Sequence, residues 1–190
     1  MATSAEGHSH GKPVQIIEMK TGKLELHKQT LEETLLQPQL KDLPVIVLSI
    51  AGIFRSGKSY LLNLLVNHLS KDINRPSGFP WNSGTDRVTT GIWMWNQIFT
   101  ATLPDGRKVG VILMDTQGTQ DPKTSQKHNA AVFALSAILS SIQIYNVKDY
   151  IDEGDLQFLE LFVRYGIAIK GDNENPFQRH KREIQVWEAN

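Results

Sequence analysis

The chain contains no cysteine. That excludes disulfides and any metal centre built on thiolates, and it is compatible with a cytosolic setting. Net charge is lacking as well, because 20 Lys and Arg are balanced by 20 Asp and Glu. A neutral balance makes no electrostatic case for nucleic acid or an anionic membrane, and no nucleic-acid partner is expected. No apolar stretch reaches the roughly 18 residues that a membrane span needs. Residues 130–145 come closest, but Ser136, Ser140, Ser141 and Gln143 interrupt them. That stretch reads as a helix running into a buried strand. The opening residues are polar, from which no secretory leader is expected. What remains is 190 residues, 40% hydrophobic and 21% charged, enough for one domain around one core.

The most informative segment is Gly52-Ile53-Phe54-Arg55-Ser56-Gly57-Lys58-Ser59. It fits the phosphate-binding pattern G-x-x-x-x-G-K-[ST]. An apolar run, residues 45–50, leads in like a buried strand. A helical pattern follows, with Leu61, Leu62, Leu65, Val66 and Leu69 on one face. Strand, glycine-rich loop and helix are the geometry the chemistry needs. The glycines let backbone N–H groups close around phosphate oxygens, and the helix N-terminus adds partial positive charge. Lys58 is expected against the β- and γ-phosphates, and the Ser59 hydroxyl on Mg²⁺. The bland alternative is a glycine-rich turn with a surface lysine.

Downstream, the apolar run 111–114 ends in Asp115-Thr116-Gln117-Gly118, a D-x-x-G at a strand's carboxyl end. Asp115 can reach Mg²⁺ through a water, and the Gly118 N–H can meet the γ-phosphate. Between the two motifs lies Thr85-Asp86-Arg87-Val88-Thr89-Thr90-Gly91, placed where a switch loop supplies a threonine to the metal. Thr89 is the favoured ligand and Thr90 the alternative; strand-edge threonine is the ordinary reading of both. A strand-like stretch runs from Ile92 to Phe99, where Trp93-Met94-Trp95 fits strand packing. Residues 98–103 and 108–114 flank Pro104-Asp105-Gly106, a turn signal, and predict a β-hairpin feeding D-x-x-G. Small GTP-binding domains carry such an antiparallel strand, by fold analogy.

Elsewhere, residues 14–18 and 24–26 flank Thr21-Gly22 and predict a small N-terminal hairpin. Residues 30–37 predict a short helix using Leu31, Leu35 and Leu36. Asp121-Pro122 marks a second, mobile switch. A helix over 125–138, a strand over 140–145 and a helix over 153–165 with Leu156, Leu159 and Val163 on one side complete the pattern.

Motifs this long and in this order resemble the GTPase domain of the atlastins, in the guanylate-binding protein and atlastin branch of the dynamin-like superfamily, over residues 14–165. The carrying residues are 49–59 with Arg inside the loop, Thr89-Thr90-Gly91-Ile92, residues 104–108, residues 114–119, Val132-Phe133-Ala134-Leu135-Ser136 and Ser140-Ser141-Ile142-Gln143-Ile144-Tyr145-Asn146. The resemblance implies GTP as ligand, with Mg²⁺. It implies nucleotide contacts from Gly52, Ile53, Phe54, Arg55, Ser56, Gly57, Lys58, Ser59, Tyr60, Asp115 and Gly118. The metal would take Ser59, Thr89 and Asp115, and catalysis would use Arg55, Lys58 and Thr89. Arg55 becomes an internal arginine finger that swings onto the phosphates when two domains pair, in a nucleotide-dependent homodimer. Position 119 is Thr where a Ras-type domain has its water-positioning Gln, which fits hydrolysis relying on the arginine and on backbone groups. In the family this activity drives homotypic membrane fusion at the cytoplasmic face of the endoplasmic reticulum.

The same resemblance implies a further buried strand ending in an Arg-Asp pair that reads guanine. No such pair follows Tyr165. Asp172 is the only aspartate there; it follows neither strand nor arginine and is not assigned to the base. The expected organisation is a disordered tail over 1–12, a partial GTPase domain over 13–178 and a divergent tail over 179–190, in a chain cut short relative to the family. The expected fold is a three-layer α/β P-loop domain. Its sheet is mostly parallel with one antiparallel hairpin strand, and incomplete at its C-terminal edge. There the strand 140–145 is exposed unless the alternating residues 183–187 pair with it. The expected function is Mg²⁺-dependent GTP hydrolysis. The alternatives are a non-catalytic fragment or isoform acting only by pairing with partners, and a P-loop ATPase or kinase, against which the hairpin and Thr89 argue.

Overall fold

A computed structural model of the chain describes residues 11–20, 23–53, 56–70, 78–80, 90–116, 118, 125–147, 150–157, 159–160, 164 and 184–188. The elements run β1 (Pro13–Lys20), β2 (Lys23–Leu26), α1 (Lys28–Leu35), a 3-10 turn (Pro38–Leu40), β3 (Val45–Gly52) and α2 (Lys58–Ser70). Then follow β4 (Ile92–Trp95), β5 (Phe99–Thr102), β6 (Lys108–Thr116), α3 (Gln126–Leu139), β7 (Ile142–Val147) and β8 (Ile184–Glu188). Residues 153–157 are helical too.

The eight described strands form one sheet in the order β2-β1-β4-β6-β3-β7-β8, with β5 on β6. β3 lies parallel between β6 and β7, and β7 is parallel to β8. The parallel centre is the expected one. The antiparallel part is wider than one hairpin strand, since β4, β1 and β2 continue the sheet beyond β6. The reason is a break in the stretch expected as one strand over 92–99. At Asn96 the backbone N–H turns to the Lys12 carbonyl, and the Asn96 carbonyl accepts from Gln37 Nε2 at 2.7 Å. β4 therefore pairs with the end of β6, Met94 opposite Met114, and β5 with its start, Phe99 opposite Val111. The Lys12 N–H donates to Asn96 Oδ1 at 2.8 Å, so the expected tail over 1–12 is already tied to the sheet at Lys12. At the other edge β8 covers β7, Tyr145 opposite Val186. This is the pairing that the alternation of 183–187 allows.

The period-2 pattern of β6 assigns the layers. Ile112 and Met114 pack with Ile16, Ile92, Met94 and Val132, on the face that α1 and α3 cover. Val111 and Leu113 pack with Leu62, Val66, Phe79 and Trp95, on the face that α2 covers. Burying side chains such as Leu62 and Val66 is worth ~1.5–3 kcal/mol each. Ser125 caps α3, its hydroxyl accepting from the His128 N–H. Two apolar assignments fail: Leu36 lies past the end of α1 and is 76% exposed, and Leu156 is 57% exposed. Leu159 packs beside Phe133 and Tyr145 as expected, whereas Val163 is outside the described residues.

Candidate phosphate-binding site

The carboxyl ends of β3, β6 and β7 come together, the place where open α/β sheets take ligands. β3 ends at Gly52 and α2 starts at Lys58, so the glycine-rich segment forms the expected strand-to-helix loop. Both glycines are needed. Gly52 has φ +147, and a Cβ there would fall on the Asn146 carbonyl oxygen. Gly57 has φ +84, with no described atom within 4 Å of a Cβ position. The first glycine permits close strand approach; the second permits a left-handed turn beside open space.

Lys58 is buried, and its Nζ donates to the Ile53 carbonyl at 2.8 Å, closing the loop on itself. Burial pushes its ammonium down from the ordinary 10.5 to about 8, against the raising effect of the Asp115 charge. Ser59 Oγ donates to Asp115 Oδ2 at 2.6 Å, although 56 residues separate them. Asp115 is fully buried, and the neighbouring Thr116 hydroxyl donates to the Ile50 carbonyl at 2.8 Å, fixing the end of β6 against β3. A lysine, a hydroxyl and a carboxylate thus meet at one loop.

Among the other expected site residues, Ile53 and Ser56 lie in the loop, half-buried, and Gly118 is buried. Tyr60 is 48% exposed at the start of α2. Phe54, Arg55 and Thr89 lie outside the described residues, as do Trp81, Gln117, Asp121 and Pro122. Thr90 is described: its carbonyl accepts from Gln15 Nε2 and from Trp93 Nε1, each at 2.9 Å. Among the described residues no three His, Cys, Asp or Glu gather as a metal cluster. The Ser59 and Asp115 oxygens still fit magnesium, a hard cation that usually takes one or two protein oxygens beside the substrate's phosphates.

Three features escaped the sequence reading. Asn146 Nδ2 donates to the Ser56 carbonyl at 2.7 Å. Gln15 and Trp93 both donate to the Thr90 carbonyl, in the segment expected as a switch. Asp155 is buried and accepts from the Tyr145 hydroxyl at 2.7 Å. Only Asn146 had a usable signal, as a polar side chain closing an apolar strand of a parallel sheet.

A family model described as guanylate-binding protein, N-terminal domain, matches residues 21–186. Among curated proteins the chain is similar to Atlastin-2 of Homo sapiens, 43% identical over 187 residues, covering 92% of this chain and 32% of that protein. It is 42% identical to Atlastin-1 of Bos taurus over 186 residues, covering 92% and 33%. With Atlastin-3 of Homo sapiens the identity is 39% over 201 residues, covering 98% and 37%. The chain therefore spans about a third of the length of these relatives.

Proposed function

Since the chain belongs to the guanylate-binding protein N-terminal domain family, we propose that it binds GTP and GDP at the loop 52–59 and hydrolyses GTP with magnesium. The observation that carries this reading is the 2.6 Å contact of Ser59 with Asp115 beside buried Lys58. A hydroxyl and a carboxylate at this distance next to a lysine make a site for a metal and a polyphosphate. The preference for guanine rests on membership of the guanylate-binding family.

In this reading Lys58 exchanges the Ile53 carbonyl for phosphate oxygens, whose negative charge compensates the ammonium that burial disfavours. Loop N–H groups hold the β-phosphate, and Gly118 offers its N–H to the γ-phosphate. Ser59, Asp115 and Thr89 would hold magnesium, which neutralises charge developing on the phosphates. Water attacks the γ-phosphorus in line, and Arg55 stabilises the charge that develops, contributing orders of magnitude in rate as arginine fingers do. We further propose pairing of two such domains when nucleotide is bound, and work at the cytoplasmic face of the endoplasmic reticulum in membrane fusion, as the atlastin resemblance implies. Among the described residues no helix is long and apolar enough to cross a membrane.

One observation favours a second reading. The strand paired outside β7 is Ile184-Gln185-Val186-Trp187-Glu188, which ends in Trp-Glu and not in the Arg-Asp pair that the resemblance implies. Phosphate binding without base selectivity or turnover, in a chain acting by pairing with partners, would follow from that. Titration with fluorescent GDP, GTP and ATP, followed by a phosphate-release assay, separates the two. Guanine-selective binding with turnover is the expected result. Base-blind binding without turnover establishes the second reading, and absence of any nucleotide binding overturns both.

A further inference from the structure

Asn146 has no part in the scheme above, yet it is 2% exposed and reaches into the loop. Its Nδ2 donates to the Ser56 carbonyl at 2.7 Å and lies 3.2 Å from the Ser56 hydroxyl. Chemistry fixes this orientation, since the reversed amide would set two oxygens face to face. The Asn146 Oδ1 is then buried with no hydrogen-bond partner among the described residues. A side chain kept only for packing gains nothing from such an acceptor, because an apolar residue of similar size would avoid its desolvation.

The Ser56 carbonyl shares its peptide unit with the Gly57 N–H. In a trans peptide the two point in opposite directions, and no described peptide is cis. A carbonyl held toward Asn146 therefore sends the Gly57 N–H away from β7. Gly57 stands at φ +84 with open space around it. A plane bordered by glycine can rotate at little steric cost, and such a rotation exchanges the carbonyl for the N–H. The unwanted orientation would present an acceptor to anionic phosphates.

We propose that Asn146 is a positioning residue that locks the 56–57 peptide plane, so that the Gly57 N–H is a fixed donor for the phosphates of a nucleoside di- or triphosphate. This inference rests on the nucleotide-binding reading above. It adds a third anchor to the loop beside the Lys58 and Ser59 contacts, supplied from the opposite neighbour of β3.

Asn146→Ala and Asn146→Asp test it; the aspartate keeps the shape and lacks the donor at neutral pH. Both are expected to raise the Kd for fluorescent GDP and the KM for GTP about tenfold, the size of one lost buried hydrogen bond. The kcat should stay within about twofold, because the substrate and the transition state use the loop alike. The aspartate should be the weaker binder, since its charge lies near the phosphates. Wild-type Kd and KM in both Asn146 variants would overturn the lock, as would a kcat that falls with the folded fraction while KM stays constant. If the wild-type chain binds no nucleotide, the functional reading fails by itself. The lock is then decided on the ligand-free chain by hydrogen exchange of residues 53–62. Faster exchange there in Asn146→Ala, with β1 and β4 unchanged, supports it; equal exchange overturns it.

Discussion

Asp115 and Asn146 sit at matching places on the two sides of β3, one at the end of β6 and one at the end of β7. In register they lie opposite Ile50 and Gly52. They have almost the same shape and are 0% and 2% exposed. One is an acid that accepts from the Ser59 hydroxyl, and the other is an amide that donates to the Ser56 carbonyl. The difference follows what each must face. Beside a lysine and a prospective cation, a buried carboxylate has compensating charge. Beside a peptide carbonyl it would have none, and only a neutral donor fits. The β6 side of the loop thus carries charge for a ligand, whereas the β7 side carries hydrogen bonds for the scaffold.

The largest change comes from pushing the β7 side away from β3. Gly52→Ala places a Cβ on the Asn146 carbonyl oxygen and holds alanine at φ +147. The cost is about 3 kcal/mol or more, from overpacking and backbone strain together. Denaturant titration should show that loss, or the variant should fail to fold. Gly57→Ala is the control, with positive φ but open space, and should lose only ~1–2 kcal/mol. Equal losses in the two would mean that β3 and β7 are not in rigid contact at Gly52.

Next in size is making the two sides alike. Asp115→Asn keeps an oxygen to accept from Ser59, so the fold should persist, but the buried Lys58 ammonium loses its opposing charge and the melting temperature should fall. The substitution removes the charge proposed to serve magnesium. Phosphate release from GTP should fall by about 100-fold or more, with a raised magnesium requirement. A variant with normal turnover would show that the carboxylate only holds Ser59, and the contrast with Asn146 would then vanish.

Much of this arrangement is legible in the sequence, because it is local. Lys58 and Ser59 follow from a contiguous motif, Asp115 from the end of an apolar run, and α3 from the serine-interrupted apolar stretch that runs on into β7. The hairpin of β5 and β6 follows from Pro104-Asp105-Gly106, where Gly106 has φ +84 and Asp105 accepts from the Arg107 N–H at 3.0 Å. The sequence hides what depends on distant partners. Leu36 and Leu156 have the right spacing, but among the described residues no element covers them. The break at Asn96 depends on Lys12 and Gln37. The role of Asn146 depends on Ser56, 90 residues earlier, and no pattern within either segment announces the pair.

The smallest effect separates the charged side from the scaffold by titration. Lys58 is 6% exposed, with its pKa lowered to about 8, first by desolvation and in opposition to the Asp115 charge. Between about pH 8 and the ordinary 10.5 the unfolded chain therefore binds more protons at this site than the folded one. Stability of the ligand-free chain should then rise with pH across that window. Below the window the cost of the buried ammonium is fully present, at most about 3 kcal/mol. Lys58→Met removes that cost. The variant should lose nucleotide binding, melt above the ligand-free wild type at pH 7, and lack the extra alkaline gain. Subtracting the two melting curves cancels the other titrating groups. A difference that stays flat from pH 7 to 10 would mean that Lys58 is solvated in the empty loop, and that its contact with the Ile53 carbonyl does not hold the ammonium inside.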